Sequence, residues 1–278
     1  MAWTVPGYVV EELVGAGSSG EVWRGRSVAA GEVVALKRLP VADAHALLGA
    51  RSEAAVLAAL EHPHILRLRE LLISEGEAIL VTDYAAGGSL AGVLEHRGRL
   101  SPGEVVTVVA PIAAALAHAH AEGVVHGDVS AANILFTDRG RPVLADLGVA
   151  RIVGRIDTAA RATPEYVDPL VVRGAPPGPH SDVFALAAVA FHALTGAAPW
   201  AGESPAESLA HAADGGAPAL RSVAPHVPEA LAQALDRALQ DNGLLRGSAA
   251  ELALDSRHAV TPVPVEGWTA RPASGGPA

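Results

Sequence analysis

The stretch HGDVSAAN, residues 126–133, places an asparagine five positions after an aspartate. Asp128 can accept a proton from a hydroxyl nucleophile. Asn133 offers a hard oxygen, and the stretch LADLG at 144–148 offers another in Asp146. Two such oxygens suit a magnesium ion that bridges phosphates. Upstream, VVALK (33–37) ends in Lys37, and Glu53 follows sixteen positions later. A lysine that anchors phosphates gains from a carboxylate that fixes its orientation. GAGSSGEV (15–22) fits G-x-G-x-x-G-x-V, and Gly15, Gly17 and Gly20 would let backbone N–H groups approach phosphate closely. Taken singly, these are an ordinary surface acid, a strand lysine and a glycine-rich hairpin. As an ordered set they read as phosphoryl transfer.

Lys37 carries a second signal. Of 20 basic residues, 19 are arginine and Lys37 is the sole lysine. In a chain so biased, a retained lysine marks a place where a compact point charge serves and a forked guanidinium does not.

The elements that must position these groups follow from local patterning. YVVEELVGAG, GEVWRGRSV and GEVVALKRL read as three Val-rich strands, with Ala35 and Lys37 on one face of the third. Glycines between two strands exclude a dinucleotide-binding fold, in which they open a helix, and no Lys-Ser/Thr follows them as a P-loop requires. Residues 43–60 have helical spacing, with Asp43 as N-cap and Pro63 beyond the end. ILRLREL and AILVTDY add two strands. Beyond AAGGSL, residues 103–122, 182–196, 228–240 and 248–255 read as helices, with short strands at 133–136 and 142–145. The stretch between Trp200 and Pro225 reads as a loop of ordinary length. The segment TPVPVEGWTARPASGGPA reads as a disordered tail, and Trp268 as an aromatic carried within it. The expected domains are 1–84, 85–258 and a Pro/Gly/Ala-rich tail, 259–278.

Composition removes several function classes. A net charge of −10 without a basic stretch argues against a nucleic-acid partner. The absence of cysteine excludes disulfides and thiolate catalysis. The apolar stretches 105–117 and 183–191 fall short of a membrane span and read as buried core helices. The N-terminus lacks a basic start followed by an apolar run, so cytoplasmic residence is the default expectation. His118 and His120 stand at i, i+2 and face apart on a helix, which suits core and helix-end roles rather than zinc; His62 and His64 read the same way.

The ordered set resembles the protein kinase family over about residues 7–257, most closely the bacterial kinases of the eukaryotic serine/threonine type. HPHI (62–65), VTDYAAGGSL, ATPEYVDP (162–169), SDVFALAAVAFHALTGAAPW and DNGLLRGSAAEL resemble further kinase segments. The resemblance implies an α+β, two-lobed fold: a small β-rich lobe with one regulatory helix, and a larger, mainly helical lobe. It implies ATP as cofactor with Mg2+ or Mn2+, and a protein substrate or signalling partner. By resemblance, Asp128 is the base, Lys37 the phosphate anchor oriented by Glu53, and Asn133 and Asp146 the metal ligands. Val22, Ala35 and Leu135 would sandwich adenine, backbone groups of Asp83 to Ala85 would receive it, and Thr82 would stand as gatekeeper. Leu57, His126 and Leu147 would form an internal column, Asp182 would brace the catalytic loop, and Thr163 would help to hold the base.

Four departures qualify that reading. Gly127 stands where the family has arginine, so switching by an arginine–phosphate pair is not expected, and Thr158 reads as an ordinary threonine. Ser130 replaces the lysine that steadies the γ-phosphate, and Ala132 denies the alternative arginine. Leu147 replaces phenylalanine, a mild change. Leu170 replaces the glutamate of the substrate segment, so Arg246 is expected to lose its ion-pair partner. A slow kinase, a nucleotide-binding pseudokinase scaffold and a small-molecule kinase resembling aminoglycoside phosphotransferases, which often read H-G-D, all remain open.

Overall fold

A computed structural model describes residues 3–17, 20–40, 51, 54–55, 57–74, 77–147 and 163–268. They divide into two compact units. The first runs to Glu61 and resumes over Leu66–Tyr84; the second takes His62–Ile65, Ala85–Leu147 and the residues from Thr163 onward.

The first unit is an antiparallel sheet of β1 (Tyr8–Gly17), β2 (Gly20–Ser27), β3 (Val33–Pro40), β4 (Leu68–Ser74) and β5 (Glu77–Asp83), in the order β1-β2-β3-β5-β4. Period-two alternation gives the sheet two apolar faces. Val34, Leu36, Ile79 and Val81 pack with Val5 on one, and Leu39, Ala78, Leu80 and Leu68 pack with Ala54 on the other. Each fully buried Val or Leu contributes roughly 1.5–3 kcal/mol. Ala54 belongs to the helix expected over 43–60, which is helical at positions 51, 54, 55 and 57–59. Its predicted cap Asp43 lies outside the described residues. The fourth strand begins three residues later than ILRLREL implied, because Ile65 bridges to Leu144 within the second unit.

The second unit is mainly helical. Its elements are α1 (Leu90–Arg97), α2 (Pro102–Ala121), the hairpin β6 (Ile134–Phe136) and β7 (Pro142–Leu144), α3 (Pro169–Val172), α4 (Pro179–Thr195), α5 (Pro205–Asp214), α6 (Leu220–Val223), α7 (Glu229–Ala238), a 3-10 turn at Gly243–Leu245, and α8 (Ala249–Ala259). Ser101 and Glu104 cap α2 reciprocally, and Pro102 takes the first helical position, whose N–H would be unsatisfied in any case. The helix is 20 residues, longer than the apolar stretch 105–117, and by length and composition it could cross a membrane. It is mostly buried and packs against α4 and α8, as a core helix does. Helix α4 is buried without interruption from Ser181 to Phe191, the mark of a helix surrounded by its own domain. It ends at Gly196, in the left-handed conformation that glycine adopts without strain.

Two expectations are corrected here. Residues 201–224, read as loop, carry α5 and α6; Ser204 accepts the Glu207 N–H and Pro205 opens the helix, a start signal present in the sequence. The tail 259–278 is not structureless throughout, because residues 261–268 make defined contacts with α2 and with the β6–β7 turn. Composition read as disorder there, but the partners that order the segment lie more than 120 residues away in sequence.

Candidate active site

The first unit carries most of the residues predicted to meet the nucleotide, and Ala85 and Leu135 belong to the second. Gly15 and Gly17 end β1 and Gly20 opens β2, with Gly17 opposite Gly20 and Gly15 opposite Val22 in the register. Ser18 and Ser19 lie outside the described residues. Gly20 has φ +117°, and a Cβ there would lie 2.3 Å from the Arg38 carbonyl oxygen. Its side-chain-free backbone is therefore required by β3 as well as by any phosphate. Lys37 pairs with Val22 on one side and Leu80 on the other, and is only 4% exposed. Ala35 shares its face and pairs with Thr82. Asp83 closes β5; its carboxylate accepts from Arg69 Nε at 2.7 Å and its N–H donates to the Arg67 carbonyl. Glu53 and Thr158 lie outside the described residues.

The second unit brings Asp128, Asn133, Asp146, Leu135 and Thr163 onto one connected framework. Its anchor is Asp182 on α4. One carboxylate oxygen accepts the Gly127 N–H at 2.8 Å; the other accepts the His126 N–H and His120 Nε2, each at 2.8 Å. Gly127 has φ +79°, and an added Cβ would meet nothing within 4 Å. Glycine therefore serves conformation here rather than space: a side chain would fit but would strain the backbone.

His126 carries the framework onward. Its Nε2 lies 2.9 Å from the Ala145 carbonyl, so this nitrogen donates, and Nδ1 then accepts the Asp128 N–H at 3.2 Å. The two bonds specify one neutral tautomer. Ala145 in turn donates its N–H to the Asn133 carbonyl at 2.8 Å. Asp146, the next residue, has φ +60°, alone among described non-glycine residues in being positive. Aspartate tolerates the left-handed region better than most residues, yet the conformation costs energy and persists because its neighbours hold it.

Asp128 is held from both sides. Oδ1 accepts from the N–H and the hydroxyl of Thr163, both at 3.1 Å; Oδ2 accepts from Asn133 Nδ2 at 3.3 Å. Burial raises its pKa above the ordinary aspartate value, and the His126 ring and these donors only partly oppose that rise. Asn133 Nδ2 also donates to the Asp128 carbonyl at 2.8 Å. With the amide nitrogen committed inward, Asn133 Oδ1 faces the other way. An amide oxygen and a carboxylate such as that of Asp146 are hard-oxygen donors of the kind that magnesium takes.

The substrate segment departs from expectation. Arg246 has not lost its ion-pair partner: Asp168, two residues before Leu170, supplies it. Nη1 and Nη2 donate to the two carboxylate oxygens at 2.6 and 2.8 Å. The remaining donors go to the carbonyls of Gln240, His180 and Asp241, and the guanidinium lies 4.7 Å from the Phe184 ring centroid. Arg246 is 1% exposed and Asp168 2%, so this is a buried pair with every guanidinium N–H satisfied. Asp168 also accepts the Leu170 N–H and starts α3. An acid beside a proline in TPEYVDP was the signal that could have found it. Trp200 Nε1 donates to the Val167 carbonyl at 3.0 Å, a second tie on the same segment.

The remaining histidines have separate partners. His118 stacks on His62 at 5.5 Å between centroids, whereas His120 turns to Asp182. His62 is pushed below the usual histidine value by burial and by the nearby His64 and His118. The Tyr166 hydroxyl and His192 Nδ1 share a hydrogen bond at 2.7 Å; burial raises the phenol's pKa and lowers the imidazole's.

Comparison with known proteins agrees with this geometry. The sequence model of the protein kinase domain matches residues 8–255. Serine/threonine-protein kinase PkaB of Streptomyces coelicolor is 35% identical over 218 residues, covering 73% of this chain and 52% of PkaB. PkaA of the same organism is 35% identical over 268 residues, covering 88% of this chain and 48% of PkaA. Serine/threonine-protein kinase PknL of Mycobacterium tuberculosis is 31% identical over 228 residues, covering 80% of this chain and 57% of PknL. The chain thus spans about half the length of these relatives.

Proposed function

We propose that this chain, which belongs to the protein kinase domain family, transfers phosphate from ATP to a serine or threonine hydroxyl of a protein. The observation that carries the reading is the holding of Asp128. A half-buried carboxylate with raised proton affinity, oriented by Thr163 and Asn133, suits a base that takes the hydroxyl proton as the oxygen–phosphorus bond forms and ADP departs. Asn133 and Asp146 would hold magnesium, which neutralises phosphate charge when bound. Lys37 would anchor the phosphates and Val22, Ala35 and Leu135 would bracket adenine. Cytoplasmic residence, with access to ATP, belongs to the same proposal.

One observation favours a second reading, a pseudokinase. Ser130 stands at the place of the phosphate-steadying lysine and is only 1% exposed, so that position presents no cation to substrate. The proposal therefore carries a lowered rate with it. The test is transfer from γ-labelled ATP with magnesium or manganese, to the chain itself and to a generic basic protein, comparing wild type with Asp128→Ala. Transfer lost in the variant supports the kinase reading. ATP binding with no transfer above the variant selects the scaffold.

A further inference from the structure

Beyond α8 the chain turns back over the surface of the second unit. Val263 donates its N–H to the Gly103 carbonyl at 3.1 Å and accepts the Thr107 hydroxyl at 2.7 Å. Three residues on, Glu266 donates its N–H to Glu104 Oε1 at 3.2 Å, and its carbonyl accepts Arg97 Nη1 at 2.8 Å. Val265, between them, is only 4% exposed. The backbone of this segment is thus bonded at both ends of a buried valine.

The receiving surface is shaped to this segment. Gly103 sits inside α2, where alanine would be the better helix former. A Cβ there would lie 2.8 Å from Val263 Cγ2 and 2.9 Å from the Thr261 carbonyl oxygen, so the glycine makes room for the segment. At the far end, the Trp268 ring covers Gly140, where a Cβ would fall 2.7 Å from Cε2. Glu104 ties the seat together, accepting two donors of Arg97, the N–H and hydroxyl of Ser101, and Glu266 N–H. Burial alone would raise its pKa, yet these donors hold it at about 2, so it is a full anion wherever the segment is seated.

The location of Trp268 gives the contact its meaning. Gly140 lies in the turn joining β6 to β7. Asn133 immediately precedes β6, and Asp146 follows β7 by two residues. We propose that residues 261–268 are a strap that braces the β6–β7 hairpin, and that seating or releasing it tunes how firmly Asn133 and Asp146 are held for the metal–nucleotide complex. The strap would then be a conformational device through which events on the chain beyond Trp268 reach the site. Its link to the nucleotide rests on the reading of Asn133 and Asp146 given above; its seat does not.

Gly103→Ala in the full chain tests this, with Trp268→Ala as a second variant. Alanine improves the helix and obstructs only the strap, so circular dichroism should stay unchanged. Hydrogen exchange would be followed at Val263 and Glu266 and at the hairpin amides of Thr137 and Gly140, alongside ATP binding in magnesium. In Gly103→Ala the strap amides should lose protection more than tenfold. In both variants the hairpin amides should exchange severalfold faster, and apparent ATP affinity should fall severalfold. Strap amides that exchange freely in wild type, or are undisturbed in Gly103→Ala, would overturn the seat. A released strap with hairpin exchange unchanged would overturn the bracing. Absence of ATP binding in wild type would instead sink the kinase reading, and the exchange measurements would still decide the strap.

Discussion

Two aspartates in the second unit, the half-buried Asp128 and the buried Asp168, sit in very different company, and the contrast separates candidate chemistry from architecture. Asp168 faces a guanidinium whose five donors are all engaged, an ion pair closed on itself. Asp128 accepts only neutral donors and its proton affinity rises with burial. On the proposed reading, the charge that reacts is left under-compensated, whereas the charge that holds a segment is paired to completion.

The sharpest way to break the comparison is Asp128→Asn. Transfer should fall by about 10²–10⁴-fold, measured as kcat with labelled ATP. Stability should move the other way. A carboxylate whose folded-state pKa is raised stabilises the fold below its unfolded pKa and loses that contribution as pH rises through the folded pKa. At neutral pH its charge is therefore a cost, and thermal melting of Asp128→Asn should come at the wild-type temperature or a few degrees higher. In wild type, the acid limb of the kcat profile should lie above the ordinary aspartate range, because the base must be unprotonated.

Asp168→Ala should do the opposite, destabilising the fold by about 3–5 kcal/mol in urea unfolding, since it strands a buried guanidinium. Adding Leu170→Glu to that variant restores an acid where the family has one, and should recover part of the loss. No recovery would mean that the α3 backbone admits an anchor only at position 168.

Glu104 sharpens the same distinction on a capping acid. Its pKa of about 2, against an ordinary 4.5, stabilises the fold above the ordinary value and loses that contribution as pH falls toward 2. Glu104→Gln should cost on the order of 2–3 kcal/mol at neutral pH, with the gap from wild type closing between about pH 4.5 and 2 in parallel melts.

The smallest effect belongs to Gly127→Ala. The left-handed backbone there should cost about 1–2 kcal/mol without any clash. Loss much beyond that would show that Asp182 cannot hold the loop against the strain.

What was legible in the sequence was whatever the chain writes locally. HGDVSAAN and LADLG placed Asp128, Asn133 and Asp146, and strand alternation put Ala35 and Lys37 on one face. The caps of α2 and α5, Ser101–Glu104 and Ser204–Pro205, are also local signals, although helical periodicity alone did not bring out either one. Glu53 was placed by spacing and lies outside the described residues. Leu170 does not predict the loss of the Arg246 pair, because an ion pair needs only that a carboxylate arrive at the guanidinium, and Asp168 does so from two positions away.

By itself the sequence determined the order of the chemistry-bearing residues and the faces and ends of most elements, because periodicity, capping and glycine spacing act within a few residues. Only the tertiary structure decided which charges are satisfied. Asp168 meets Arg246 across 78 positions, Asp182 reaches back 55 to Gly127, and Thr107 holds Val263 across 156. Hydrogen-bond partners are chosen by distance in space, and that distance exists only once α2, α4 and α8 have packed.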